Sequence, residues 1–175
     1  MKVLIIIPAY NEQENIINTV SKVLDYKTEC DFQLDYVVIN DGSKDNTYDI
    51  CRKNNIRCVN LIQNLGIGGA VQTGYKLANM QDYDIAIQFD GDGQHDINSL
   101  KSLIAPIVNG TADFTVGSRF IGDGVSFQST AMRRFGIKIL SFTLKLFAKV
   151  NISDCTSGYR CLLYTSPSPR DMRRS

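Results

Sequence analysis

Asp90 and Asp92 stand two apart in the stretch QFDGDGQHD, residues 88–96. In an extended chain side chains two apart project to the same side, so the two carboxylates crowd each other. At about 4 Å two unit charges repel by about 1 kcal/mol in water and about 4 kcal/mol at an effective dielectric of 20. A hard divalent cation between them removes the conflict, and oxygen donors favour Mg or Mn over zinc. Gln94 and His95 stand close enough to add a ligand or to brace one. Gly91 and Gly93 lack side chains and leave room for a bulky anion. Taken alone, the same residues also suit a solvated Asp/Gly turn.

Other residues narrow the chemistry. Arg119 follows a short apolar run, and Arg133 and Arg134 come soon after; guanidinium groups suit phosphate oxygens. The glycines at 66, 68, 69 and 74 fail both common phosphate-loop patterns. Val71 stands where a dinucleotide fingerprint needs glycine, and Tyr75 stands where a P-loop needs lysine. A tight strand-to-helix turn accounts for them equally well. His95 is the sole histidine and no G-x-S-x-G elbow accompanies it, which argues against hydrolase chemistry.

These residues need a scaffold, and the apolar pattern supplies one. Residues 3–7 form a β-branched and leucine run closed by Pro8, the mark of a buried strand. Ile16, Ile17, Val20, Val23 and Leu24 share one helical face. Strands are expected over 36–39, 58–62 and 114–116, and another where Ile85, Ile87 and Phe89 alternate. Asp45 is placed to cap a short helix through Tyr48, Ile50 and Cys51, and Asp96 to cap a helix ended by Asn109 and Gly110. A further helix through Ala70 to Ala78 follows the glycine-rich turn.

Strand and helix alternate with short connections, which predicts a mostly parallel α/β sheet flanked by helices on both faces. Ligands of such sheets sit beyond the carboxyl ends of the strands. The polar and glycine-rich segments PAYNE (8–12), NDGSKDN (40–46), NLGIGG (64–69), DGDGQH (90–95) and GSRF (117–120) each follow a strand directly. The turns from helix to strand are plain. That asymmetry predicts an active site on one edge of the sheet.

Composition sets the outer bounds. The chain has 175 residues, 43% of them hydrophobic and 21% charged, with a formal net charge of +1. Such a chain forms one domain and buries roughly 70% of its unfolded surface. The near-neutral balance argues against a nucleic-acid partner. The five cysteines include no C-x-x-C pair and read as reduced, which points to the cytoplasm. The apolar run near Met1 is too short for a signal peptide or a membrane span. Residues 132–150 read as a helix with Arg134, Lys138, Lys145 and Lys149 in one stripe and aromatic and aliphatic residues around the rest. Such a helix packs on its own core or makes peripheral contact with the inner face of an anionic plasma membrane.

Residues 161–171, CLLYTSPSPRD, resemble the in-frame translation of a sequencing adapter. Residues 161–175 are accordingly expected to be a non-native tail, the folded unit to span 1–160, and the natural chain to continue past Arg160 as a longer, here C-terminally truncated, protein.

The motifs PAYNEQENI, NDGSKDNT, NLGIGGAVQTG, QFDGDGQHD, GSRF and SDCTSGYR occur in the order and spacing of family 2 glycosyltransferases. The chain resembles the GT-A-fold members of that family, close to the polyprenyl-phosphate, dolichyl-phosphate-mannose synthase-like branch, over residues 2–160. The resemblance implies a Rossmann-like sheet and transfer of a sugar, with inversion, from a nucleotide-diphosphate sugar to a polyprenyl phosphate or a cell-envelope glycan. It implies that Pro8, Tyr10, Glu12, Asp41, Asn64, Gly69 and Asp90 hold the nucleotide sugar, that Asp90, Asp92 and Gln94 hold Mg or Mn, and that Arg119 and Arg133 bind acceptor or donor phosphate. Asp92 and Arg119 are the implied catalytic residues; Asp154 is the one further catalytic candidate the sequence offers, as base where the acceptor is a hydroxyl, and a helix or loop cap accounts for it at least as well. Asn40 departs from the family, which often carries aspartate there, and Cys155 stands where Pro or Val is usual. Two other readings compete. One is a fragment that binds the sugar nucleotide and transfers nothing. The other is a nucleotidyltransferase, which needs a basic glycine-rich loop after the first strand where this chain has PAYNE.

Overall fold

The computed structural model describes residues 1–90, 97–117 and 158–163. In chain order the elements are β1 (Lys2–Ala9), α1 (Ile16–Lys27), β2 (Gln33–Asn40), α2 (Thr47–Lys53), β3 (Cys58–Asn60), α3 (Gly66–Met80) and β4 (Ile85–Gln88). A 3-10 turn (Ile97–Ser99) leads into α4 (Leu100–Val108), and β5 (Phe114–Val116) and β6 (Arg160–Leu163) follow. The strands make one sheet in the order β3-β2-β1-β4-β6-β5. β1, β2, β3 and β4 run parallel, and β6 lies antiparallel between β4 and β5.

β1 is an unbroken apolar run because it is covered on both faces. Val3, Ile5 and Ile7 pack with Ile16, Val20 and Val23 of α1, Cys51 of α2 and Leu100, Leu103 and Ile104 of α4. Leu4 and Ile6 point the other way, onto Ala70 and Ala78 of α3. Connections through α1 and α2 step outward from β1 to β3, and the connection through α3 steps back across to β4. The reversal puts α3 on the opposite face, as right-handed crossovers demand. It also creates a switch point between β1 and β4, where the carboxyl ends of neighbouring strands part and a crevice opens.

α3 lies so close to β1 that a Cβ on Gly74 would run into the side chain of Ile6, 2.9 Å from its Cγ1. Gly74→Val is therefore expected to cost about 3 kcal/mol through overpacking, which lowers the melting temperature by roughly 6–12 °C for a domain of this size. Thermal denaturation followed by circular dichroism checks it.

Among the described residues the expected strands and helices are present, with shifted ends. β2 begins at Gln33, three residues before the expected start, because its polar first half is held by pairing to β1 from Lys2 onward. β3 stops at Asn60, and Ile62 stands fully exposed. α3 begins at Gly66 rather than after the glycines. α2 starts at Thr47 with Asn46 at the cap position, yet Asp45 Oδ1 still accepts the Thr47 N–H at 3.0 Å. Asn109 and Gly110 end α4 as expected, Gly110 at φ +68°. The largest difference is β6, which carries the fold three residues past Arg160, with Cys161 fully buried between β4 and β5. Burial pushes the Cys161 thiol up to about 12, so it stays neutral. Residues 164–175, the Asp96 cap and the helix expected over 132–150 lie outside the described residues. No helix among the described residues is long and apolar enough to cross a membrane.

Candidate active site

The carboxyl ends of β1, β2 and β4 and the start of α3 enclose a cleft of about 380 Å³. Its walls are Pro8, Ala9, Tyr10, Glu12, Asp41, Asn64, Gly66, Ile67, Ala70 and Asp90. Six of the residues singled out from sequence for the nucleotide sugar thus meet on one rim: Pro8, Tyr10, Glu12, Asp41, Asn64 and Asp90. Gly69 does not line the cleft. It lies along the first turn of α3 against the Leu65 side chain. Ala9, Ile67 and Ala70 take part and were not singled out. Gly66, Ile67 and Ala70 are i, i+1 and i+4 of a helix, a signal readable only once α3 is known to begin at Gly66.

Each wall residue is held by an identifiable device. Asp41 continues the β2 pairing, its N–H reaching the Ala9 carbonyl at 2.9 Å, and its side chain is only 3% exposed. Its Oδ1 accepts the Leu65 N–H at 2.7 Å, and Asn64 Oδ1 accepts the Gly66 N–H at 2.9 Å. Two of the N–H groups a helix leaves unpaired at its start are thereby satisfied, which anchors α3 despite its glycines. Gly42, at φ +64°, lets the loop after β2 pack against the backbone of Gln63 and Asn64, where a Cβ would come within 2.8 Å.

Behind the cleft the loops after β1 and β2 are laced together. The N–H groups of Asn11, Glu12 and Gln13 donate to Ser43 Oγ, Thr47 Oγ1 and Asp45 Oδ2 at 2.9, 2.9 and 3.1 Å. The Lys44 and Asn46 N–H groups return bonds to the side-chain oxygens of Asn11 and Gln13 at 2.9 and 3.2 Å. Asn11 adopts φ +57°, a conformation asparagine tolerates. Asn40, where the family often has aspartate, is buried and donates from Nδ2 to Asn60 Oδ1 at 2.6 Å. It accepts from Ser43.

Asp45 gives this lacing a pH dependence. Partial burial pushes its carboxyl up, but hydrogen bonds from the Thr47 hydroxyl and the Thr47 and Gln13 N–H groups outweigh that and hold it below the ordinary 3.8. A depressed native value means stability that is fully present above pH 3.8 and lost as pH falls through the native value. Asp45→Asn is expected to be less stable than wild type in urea at pH 7, and the difference to shrink as pH falls below 3.8 through the lowered native value. A constant difference across that range would contradict it.

Asp90 sits at the end of β4, and its Oδ1 accepts the Gln88 Nε2–H at 3.1 Å. Among the described residues no three His, Cys, Asp or Glu side chains cluster as metal ligands. Asp92, Gln94, Arg119, Arg133 and Asp154 lie outside the described residues. The donor types of the expected set, two carboxylates and an amide, fit a hard cation such as Mg or Mn, and Asp90 lines the cleft.

Comparison with known proteins places this geometry in context. The chain is 33% identical to the UDP-N-acetylglucosamine–dolichyl-phosphate N-acetylglucosaminyltransferase of Methanococcus voltae, over 89% of this chain and 67% of the relative. It is 30% identical to the undecaprenyl-phosphate mannosyltransferase of Micrococcus luteus, over 91% of this chain and 65% of the relative. Glucosyl-3-phosphoglycerate synthase from Mycobacterium tuberculosis, in complex with Mn2+ and UDP-glucose, superposes with a TM-score of 0.64 at 20% identity, covering 93% of this chain and 56% of that one. The last likeness bears on the fold alone, which is the α/β architecture expected. The chain spans about two thirds of the length of these curated relatives. The family model for glycosyl transferase family 2 matches residues 4–165, and the chain belongs to that family.

Proposed function

We propose that the chain is the donor-binding part of an enzyme that transfers a hexosyl group from a nucleotide-diphosphate sugar to a polyprenyl phosphate. The observation that carries this reading is the cleft at the switch point, lined together by Tyr10, Asp41, Asn64 and Asp90. Its volume suits a small-molecule site. The names of the M. voltae and M. luteus relatives, both acting on polyprenyl phosphates, support the acceptor class.

In this reading Tyr10, half exposed at the rim, stacks on the base. Asp41 Oδ1 is committed to the Leu65 N–H, which fixes the carboxylate so that its other oxygen can accept a base N–H. The laced loops behind Tyr10 and Glu12 keep that surface from reorganising when the nucleotide arrives, so binding costs little ordering entropy. Asp90, Asp92 and Gln94 would hold Mg or Mn, which as a Lewis acid neutralises charge on the departing nucleoside diphosphate. Arg119 adds preorganised hydrogen bonds to the same oxygens, and Arg133 holds the acceptor phosphate. A polyprenyl phosphate is ionised at pH 7 and needs no base. Asp154 would serve as one for a hydroxyl acceptor such as a cell-envelope glycan. Residues 132–150 are the proposed peripheral contact with the membrane that carries the lipid, and the cytoplasmic side is the proposed place of reaction.

The test is nucleotide release from UDP- and GDP-sugars in the presence of Mn2+ and a polyprenyl phosphate. Release that depends on the lipid phosphate is the expected result. Binding of a sugar nucleotide with no transfer would favour the binding-only reading, and neither binding nor release would contradict both.

A further inference from the structure

Asp90 meets an unusual neighbour. The β4–β6 ladder pairs Ile87 with Cys161 and Gln88 with Arg160, and the same register continued brings Phe89 opposite Tyr159 and Asp90 opposite Gly158. The rings of Phe89 and Tyr159 meet edge-on, centroids 5.7 Å apart at 80°. A Cβ on Gly158 would stand 2.6 Å from both Cγ and Oδ1 of Asp90 and closer still to Oδ2. Gly158 is outside the left-handed region, so glycine is needed here for space rather than for backbone freedom. The carboxylate rests directly against a bare backbone on one side and takes the Gln88 amide on the other, at 3.1 Å.

What would yield to a side chain at 158 follows from the surroundings. Tyr159 is buried, its carbonyl accepts the Gly117 N–H at 2.8 Å, and a Cβ on Gly117 would come within 2.7 Å of the Tyr159 ring. Residues 158–163 are therefore held by pairing to β4 and to β5 and by two close glycine contacts. The Asp90 carboxylate, at the tip of a short side chain, turns about its own torsions at far lower cost than moving a paired strand. An added methyl at 158 displaces the carboxylate and leaves the strand in place.

We propose that Gly158 and Gln88 are positioning residues that hold the Asp90 carboxylate in the orientation required to bind a divalent cation, Gly158 by leaving room and Gln88 by donating to Oδ1. The proposal deepens the reading of this rim as a metal-dependent donor site and rests on it. Partners of this kind change metal affinity by about 10- to 100-fold when removed.

The experiment titrates Mn2+ into the full chain with UDP or GDP present, followed by the electron paramagnetic resonance of free Mn2+. Parallel calorimetry measures nucleotide affinity in EDTA. Gly158→Ala is expected to weaken Mn2+ binding about 10-fold or more while nucleotide affinity in EDTA and the melting temperature stay at wild-type values. Gln88→Leu, which keeps the volume and removes the donor, shifts Mn2+ binding in the same direction and decides the matter if Gly158→Ala does not fold. Wild-type Mn2+ affinity in a folded Gly158→Ala and in Gln88→Leu would overturn the positioning role while leaving the donor-site reading intact. An equal loss of nucleotide affinity in EDTA would overturn it too, since a general distortion would then explain the result. A wild-type chain that takes up no Mn2+ overturns the metal-dependent donor site and this proposal with it.

Discussion

Asp41→Ala is expected to weaken nucleotide binding about 10- to 100-fold and to lower stability by about 1–3 kcal/mol at the same time. Both effects come from one carboxylate. Its Oδ1 satisfies the Leu65 N–H at the start of α3, and removing it leaves a donor without its partner, at a cost of about 1–3 kcal/mol. The other oxygen is the proposed acceptor for the base, and a hydrogen bond to a charged group contributes about 1.5–3 kcal/mol, which corresponds to roughly one to two decades in affinity. Asp41→Asn separates the two. Its amide oxygen still accepts from Leu65, so the melting temperature should stay near wild type, while nucleotide affinity falls for lack of charge. Calorimetry with the nucleotide alongside thermal melts reads both. Wild-type affinity in Asp41→Asn would show that the charge contributes nothing to binding.

Asp92→Ala is expected to abolish the Mn2+-dependent part of donor binding and to lower transfer by about a thousandfold, without unfolding the chain. Charge stabilisation by a metal at a departing diphosphate is worth several kcal/mol, and each 1.36 kcal/mol is a decade in rate. The fold survives because the core lies in β1, β2 and β4 and the helices packed on them, which contribute most of the fully buried apolar side chains. Wild-type Mn2+ affinity in Asp92→Ala would remove that residue from the metal site.

Much of the scaffold was legible before the structure, for physical reasons. A central parallel strand must be apolar on both faces, so VLIII followed by proline could be little else. Asn109 and Gly110 end α4 because the chain needs a left-handed residue there. The rim was legible because polar and glycine-rich residues gathered after strands and avoided the opposite turns. β6 was not. Its four residues have no periodicity of their own, fall partly in the stretch that resembles an adapter, and become a strand only by fitting antiparallel between β4 and β5. The start of α3 was also hidden, since glycine disfavours helix and the bonds that offset this come from Asp41 and Asn64, distant or non-helical in sequence. The lacing of Asn11, Glu12 and Gln13 to Ser43, Thr47 and Asp45 and the seating of Asp90 on Gly158 depend on contacts that no local pattern announces.

In the proposed function three strand ends, those of β1, β2 and β4, present a nucleotide-sugar site whose affinity depends on a divalent cation. Isothermal titration of the chain with UDP-, GDP- and dTDP-sugars, each with and without Mn2+, tests it most directly. One nucleotide class should bind at one site per chain, and more tightly when Mn2+ is present. Failure of all three to bind at millimolar concentration with Mn2+, or binding indifferent to the metal, would contradict it.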